Sequence, residues 1–517
     1  MSSARSSFTL HEPEVEEQAS SSKLSTGFKP VLAPKYSNEA SCPTLPLAEA
    51  PDDWFFDPRN PRNWPQSKKW LTTAIVALYM FVAPLSSSTM APGEAQIAAR
   101  YNITNESILA MTLSIFLLSF GIGPLFLAPV SEIYGRRWVL HIGNGFSVLF
   151  HLGCAFAPNT ATLIGFRFLA GLSGSAPVAC GGAVVSDLFN ERERASAMAL
   201  YSLGPLLGPV LGPIAGGFIA QEVGVQYVYF MLAGTTTFAG LVGIPFLRET
   251  YAPLIKCRIA AAANDVEKTA LQQALSTNND IKPCKNIWGQ LAFLCSNFSR
   301  PVYLLTHSFI CFTLSLYMAF LYGCYYLFFV TFNGFFTKTY GFSTGIASLM
   351  YTGLGAGFVF AACTGAKFSN ILYLHLADKN GGKGEPEMRI PPIFVGSFFV
   401  PIGLLWYGWS AAYKLHWIMP VIGSSLFGMG MQVSFLPIQL YLVDSFRYAA
   451  SALSAAFLFR SLLGFSFPLF GHEIFAKLGY GWGFSMLGIL AICLGIPFPV
   501  FIYYKGAAIR ARSDLNH

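Results

Sequence analysis

GPLLGPVLGPIAGG, residues 204–217, places prolines at 205, 209 and 213, each directly after a glycine. A proline inside a helix removes a backbone donor and crowds the preceding turn. In water such a run reads as a broken loop, but in hydrocarbon it reads differently. Gly204, Gly208, Gly212 and Gly216 recur every four residues and share one helix face. A face without side chains lets a second helix approach closely, as small residues do in membranes. Pro205, Pro209 and Pro213 fill the adjacent stripe and free carbonyls that only neighbouring protein or water can satisfy. The stretch predicts a membrane helix that packs tightly on one face and bends, forming a pliable contact between two bundles. A kinked packing helix is the alternative.

The rest of the chain agrees with a membrane setting. Of its 517 residues 53% are hydrophobic and only 11% charged, and the mean hydropathy is +0.49. Soluble domains carry roughly 25% charged residues. Crossing about 30 Å of hydrocarbon takes about 20 apolar residues. Twelve runs meet that length: 70–91, 107–130, 138–157, 162–186, 196–220, 227–247, 303–330, 342–363, 392–411, 416–440, 450–472 and 480–504. The expected fold is therefore an all-α membrane protein with twelve transmembrane helices in two pseudo-symmetric six-helix bundles. The expected organisation is a disordered cytosolic tail (1–68), an N-terminal bundle (69–247), a cytosolic loop (248–300), a C-terminal bundle (301–505) and a cytosolic tail (506–517). The first 68 residues contain no apolar run resembling a secretory leader.

An even number of spans puts both termini on one side. Of the 33 Lys and Arg, 27 then fall on the side of the termini, four on the other, and two, Arg167 and Arg460, inside spans. That asymmetry makes the termini cytosolic. It turns the sequons at Asn102 and Asn105 outward, open to glycosylation, and the one at Asn297 inward. The ten cysteines show no metal-ligand spacing, and neither a metal nor another cofactor is expected. The expected partners are a small-molecule substrate, protons and the lipid bilayer, with no nucleic acid and a monomeric state.

The halves echo each other. SDLFNERERASAMALY (186–201) is mirrored by DSFRYAASALSAAF (444–457), each running Asp-x-Phe, a cationic loop, then a new apolar helix. Internal repeats of this kind mark secondary transporters.

Several stretches in order resemble the major facilitator superfamily, in particular its fungal twelve-span drug:H⁺ antiporter branch. GPLFLAPVSEIYGRR (123–137) is similar to the family's loop 2–3 motif, FRFLAGLSGSAP (166–177) to its span 4 motif, and GPLLGPVLGPIAGG to its antiporter motif. RETYAP (248–253), SLYMAFLYGCYYLFF (315–329) and PEMRIPP (386–392) also read like that branch. One departure is GVQYVYF (224–230), where relatives show a Gly-Trp-Arg-Trp-like stretch. The resemblance implies proton-coupled export of drugs or fungal secondary metabolites, with the plasma membrane as the expected location and the vacuolar membrane as the alternative. An uptake carrier, a facilitator or a nutrient sensor are the alternatives.

The resemblance also implies roles for particular residues. Ser131, Glu132, Gly135, Arg136 and Arg137 form the loop motif, whose arginines meet Asp187 and latch the outward-facing state. Arg167 is linked to proton transfer. The span 5 helix, Gly204 to Gly216 with Gly217, supplies pliability. From the residues themselves, an arginine in hydrocarbon is a functional candidate by default, which singles out Arg167 and Arg460. A structural arginine satisfied by carbonyls is the alternative for Arg460. No Asp or Glu lies deep in a span, which argues against dications and for neutral, zwitterionic or anionic organic molecules. Tyr317, Tyr322 and Tyr326 with Gln432 and Gln439 are the candidate cavity residues. His141, His151 and His307 titrate in a useful range but read as packing residues.

Overall fold

The computed structural model describes Trp54 and residues 56–262, 299–446 and 449–511. Most of the N-terminal tail, the loop at 263–298 with Asn297, and Arg512 lie outside the described residues. Ten stretches are long and apolar enough to cross a membrane by length and composition. The first five are α1 in Gln66–Ser88, α2 in Glu106–Tyr134, α4 in Thr160–Leu188, α5 in Glu191–Glu222 and α6 in Val225–Phe246. The next four are α7 in Phe309–Tyr340, α8 in Thr344–Lys379, α9 in Pro391–Ala412 and α10 in Ile418–Ser445. The tenth stretch, Ser451–Arg510, is 60 residues long, more than enough for two crossings at about 20 residues each. It breaks at Gly479, whose φ of 71° and ψ of 172° are non-helical. This gives α11 (449–478) and α12 (480–510). The remaining helix, α3 in Arg136–Ala155, is 20 residues long but more polar, with two arginines and two histidines. Twelve membrane-length helices result.

Polar caps and glycines set the ends. Asn105 accepts from the backbone N–H of Ser107 and Ile108 at the start of α2, and Asn159 does the same for Thr162 in α4. Gly135, at φ 101°, turns the chain between α2 and α3, a conformation that side chains avoid. Ser175 marks a break inside α4, where the helix restarts with Pro177 in its first turn.

Within the halves, α1 packs along α5 and α3 along α6, while α9 packs along α10 and α8 along α10. Between the halves, α2 runs along α11 and α5 meets α8. Ser107 Oγ donates to Leu469 O across the first contact, and Gly345 N–H donates to Gln221 Oε1 across the second. Both bonds lie at the helix ends opposite Gly135, so the halves are held together on that side.

Candidate functional site

The glycine stripe of α5 does not face the other bundle. A Cβ at Gly204 would lie 2.7 Å from Phe81 N, one at Gly208 2.9 Å from Leu85 N, and one at Gly212 2.8 Å from Leu85 O. One at Gly216 would collide with the carbonyl of Thr89. All four contacts are with the backbone of α1 and its end, within the same half. The expected contact between bundles is made instead by the neighbouring stripe. Val210 meets Gly355, Gly217 meets Ser348 and Phe218 meets Gly345, all three partners on α8. The sequence shows that a stripe packs closely, but not which helix it meets. The prolines follow the expected physics. Pro213 leaves the carbonyl of Pro209 without its intrahelical donor, and Ser88 Oγ of α1 donates to it at 3.1 Å.

Arg167 is fully buried. Its Nη1 donates to Ser86 O at 2.9 Å, Nε to Thr112 O at 3.2 Å, and Nη2 to Leu113 O at 3.2 Å and Ser87 O at 3.5 Å. The guanidinium also lies 5.1 Å from the centre of the Phe116 ring. It ties α1, α2 and α4 together through backbone carbonyls. A guanidinium does not lose its proton in proteins, and none of these partners is a titratable side chain. Next to it, His151 Nε2 shares a hydrogen bond with Ser86 Oγ at 3.3 Å. His141 Nδ1 shares one with Tyr79 OH, also at 3.3 Å.

Arg460 stands differently. Among the described residues it makes no ion pair, and its buried Nε has no hydrogen-bond partner. Its guanidinium lies 4.3 Å from the Phe457 ring and 5.0 Å from the Tyr322 ring. Carbonyl satisfaction, raised as the alternative for Arg460, is found at Arg167. Tyr322 contacts Tyr326 and Phe435, and Tyr326 OH shares a 2.8 Å bond with Ser87 Oγ of the other half. Of the expected cavity tyrosines, Tyr322 thus meets Arg460 at the seam, and Tyr326 joins it through Tyr322. Tyr317 does not: its hydroxyl bonds Ser397 Oγ at 3.0 Å inside the C-terminal half. Gln432 and Gln439 are half-buried on α10.

The loop motif builds a cluster where α2, α3 and α4 end. Arg136 Nε donates to Asp187 Oδ2 at 2.6 Å, and Thr250 Oγ1 donates to the same oxygen at 3.3 Å. Glu249 accepts from the backbone N–H of Arg136 at 3.0 Å and of Arg137 at 3.3 Å, capping α3 at its positive end. Ser131 Oγ donates to Ala128 O, and Glu132 lies exposed beside Arg136. The other half repeats the device: Arg389 Nε donates to Asp444 Oδ2 at 3.1 Å, and Glu387 pairs Arg510 at 2.7 Å. The two Asp-x-Phe echoes therefore hold matching ion pairs.

A family model described as Major Facilitator Superfamily matches residues 76–468. The chain belongs to this superfamily. It is 42% identical to the MFS-type transporter penM of Penicillium rubens over 90% of each chain. It is 39% identical to the efflux pump radE of Floropilus chiversii, over 93% of this chain and 87% of that one. The efflux pump vrtL of Penicillium aethiopicum is 40% identical over 88% and 89%. The fold matches the solved proton:xylose symporter XylE with a TM-score of 0.59 and 14% identity, over 85% of this chain and 96% of that one.

As a major facilitator transporter, the protein brings two further groups into play. Glu249, in the RETYAP stretch, completes the cluster around Arg136, and its position in a motif that carried no assigned role was the available signal. At the opposite end of the helices, His472 Nε2 of α11 lies 3.9 Å from Glu94 Oε1, and its Nδ1 lies 3.8 Å from Glu106 Oε2. These carboxylates belong to the N-terminal half and the imidazole to the other. Residues 366 and 378 apart in sequence carry no local signal of such a bridge.

Proposed function

We propose that this transporter exports small amphipathic organic molecules, fungal secondary metabolites above all, in exchange for protons. The two halves rock about the seam between α2 and α5 on one side and α8 and α11 on the other, exposing it to each side in turn. The observation that carries this reading is the identity of about 40%, over nearly the whole chain, to relatives named efflux pumps. The closed outer side supports alternating access, because a seam held at one end opens at the other. The proton side is supported by titratable groups at the seam's outer end, Glu94, Glu106 and His472, since the spans hold no deep carboxylate. Arg136 and Asp187 act in this cycle by holding the cytosolic ends of α3 and α4 in register. Their pair lies within one half and is formed while the outer side is closed, so its influence on the outward-facing state is transmitted through that half. We place the protein in the plasma membrane, as a monomer with cytosolic termini and with glycans on Asn102 and Asn105, both exposed.

The test is transport by purified protein in vesicles with an imposed pH gradient. Movement of labelled amphipathic compounds against their own gradient, abolished by a protonophore, is the expected result. Equilibration unaffected by the protonophore would replace the antiporter with a facilitator.

A further inference from the structure

Arg460 lies about eleven residues into α11, roughly 16 Å from its cytosolic end at 1.5 Å per residue, which is half the hydrocarbon thickness. At that depth a cation normally finds a carboxylate or a set of carbonyls. Arg167 shows the second solution in the same molecule, with every partner a carbonyl. Arg460 shows neither. Its described contacts are ring faces, and its Nε is buried without an acceptor.

The surroundings say what kind of acceptor is missing. Phe457, on the same helix, contacts Phe120 of the other half, and Tyr322 is in contact with Tyr326 and Phe435. At the neighbouring position Ser461 touches Gly121 of α2, so this turn of α11 lies on the seam itself. The guanidinium is therefore an aromatic-walled, permanently charged group at mid-depth, at the place where the halves separate. Guanidinium donors form a planar fork that matches a carboxylate in two parallel bonds. We propose that Arg460 is a substrate anchor: it binds the carboxylate, or a similarly delocalised acid anion, of a molecule whose aromatic or apolar body lies against Tyr322 and Phe457. The transported class is then organic acids in their anionic form. This rests on the export reading above and narrows it.

The experiment compares matched acids and amides on the purified full-length protein in lipid nanodiscs. Pyrenebutyric acid with pyrenebutyramide, and naphthaleneacetic acid with naphthaleneacetamide, are the probes, with empty nanodiscs subtracted. Wild type is expected to bind each acid about ten-fold or more tighter than its amide. R460Q is expected to bind both at the amide's wild-type affinity, which also shows that the variant is folded. R460K keeps the charge but not the fork, and should retain only part of the preference. Equal binding of acid and amide in wild type, in both pairs, overturns the proposal. So does an acid preference that survives in R460Q, or one that R460K leaves undiminished. Acid binding without transport in vesicles would remove the exporter and keep the anchor. Transport of neutral compounds without acid preference would do the reverse.

Discussion

Replacing Arg167 tests whether this residue is a proton-transfer group or a staple. In R167Q the chain loses four donor contacts, three of them at 2.9–3.2 Å and the fourth at 3.5 Å, the limit for a hydrogen bond. A hydrogen bond to a charged group contributes about 1.5–3 kcal/mol. The sum overstates the loss, because the four acceptors are helix carbonyls that keep partners within their own helices. Breaking a buried hydrogen-bond network that leaves no unpaired charge behind costs about 1–3 kcal/mol. At about 2 °C per kcal/mol for a large chain, the apparent melting temperature should fall by about 2–6 °C. The assay is thermal unfolding in detergent, followed by tryptophan fluorescence, with transport measured on the same preparations. R167K, which reaches fewer of the carbonyls, should fall between wild type and R167Q. An R167Q protein that melts like wild type yet has lost its proton dependence would refute the staple and restore a chemical role. Loss of transport alone decides nothing, since a loosened N-terminal half also fails to transport.

Three further outcomes follow from the packing. G216A drives a methyl group into the carbonyl of Thr89, whereas Gly234 on α6 has open space at its Cβ. G216A should therefore cost about 1–3 kcal/mol of stability and G234A should not, as melting temperatures will show. E249Q weakens the cap on α3 and should lower stability by up to about 2 kcal/mol, read in the same assay. H472Q removes the imidazole between Glu94 and Glu106, with Lys338 the cation facing the same cluster. A protonated ring attracts both carboxylates while they stay ionised, so closure of the outer side should be strongest in the window between carboxylate ionisation and ring deprotonation, and fade as the ring loses its proton. Labelling of a cysteine placed at Ser107 should follow external pH in wild type and lose that dependence in H472Q.

Most of the architecture was legible because a membrane imposes a length on every span. All twelve expected runs overlap a helix, and the errors are at the ends. The expected span 7 began at 303, whereas the long helix starts at Phe309 after a break at Ser308, which caps it. The expected span 8 stopped at 363, whereas α8 continues to Lys379, because a helix leaving the bilayer need not stop where its apolar run does. The Asp-x-Phe echo was legible for a chemical reason, since each Asp has an arginine to hold at a helix end. What the sequence leaves open is the rotation of each helix about its axis. That rotation decided which helix meets the glycine stripe, and it sent Tyr317 into the C-terminal half while Tyr322, five residues on, reached the seam. No spacing along one helix contains the phase of its neighbour.

The two intramembrane arginines look alike in sequence, and their difference lies in what other helices offer them. Ser87 links the two environments: its carbonyl accepts from Arg167 and its hydroxyl bonds Tyr326, which contacts Tyr322 beside Arg460. On one side of this link the cation has spent its donors on carbonyls of α1 and α2, so any motion of those helices must carry Arg167 with them. On the other side the cation has a donor left over at the surface where the halves part. A transporter needs both kinds of group, one that makes a half move as a unit and one whose partner changes during the cycle. Arg167 has no acceptor to exchange without breaking its own bundle, whereas a ligand reaching Arg460 disrupts nothing that the described residues hold together. The assignment of staple to the first and anchor to the second follows from that asymmetry, and exchanging the two roles would require α1 and α2 to release four carbonyls at every turnover.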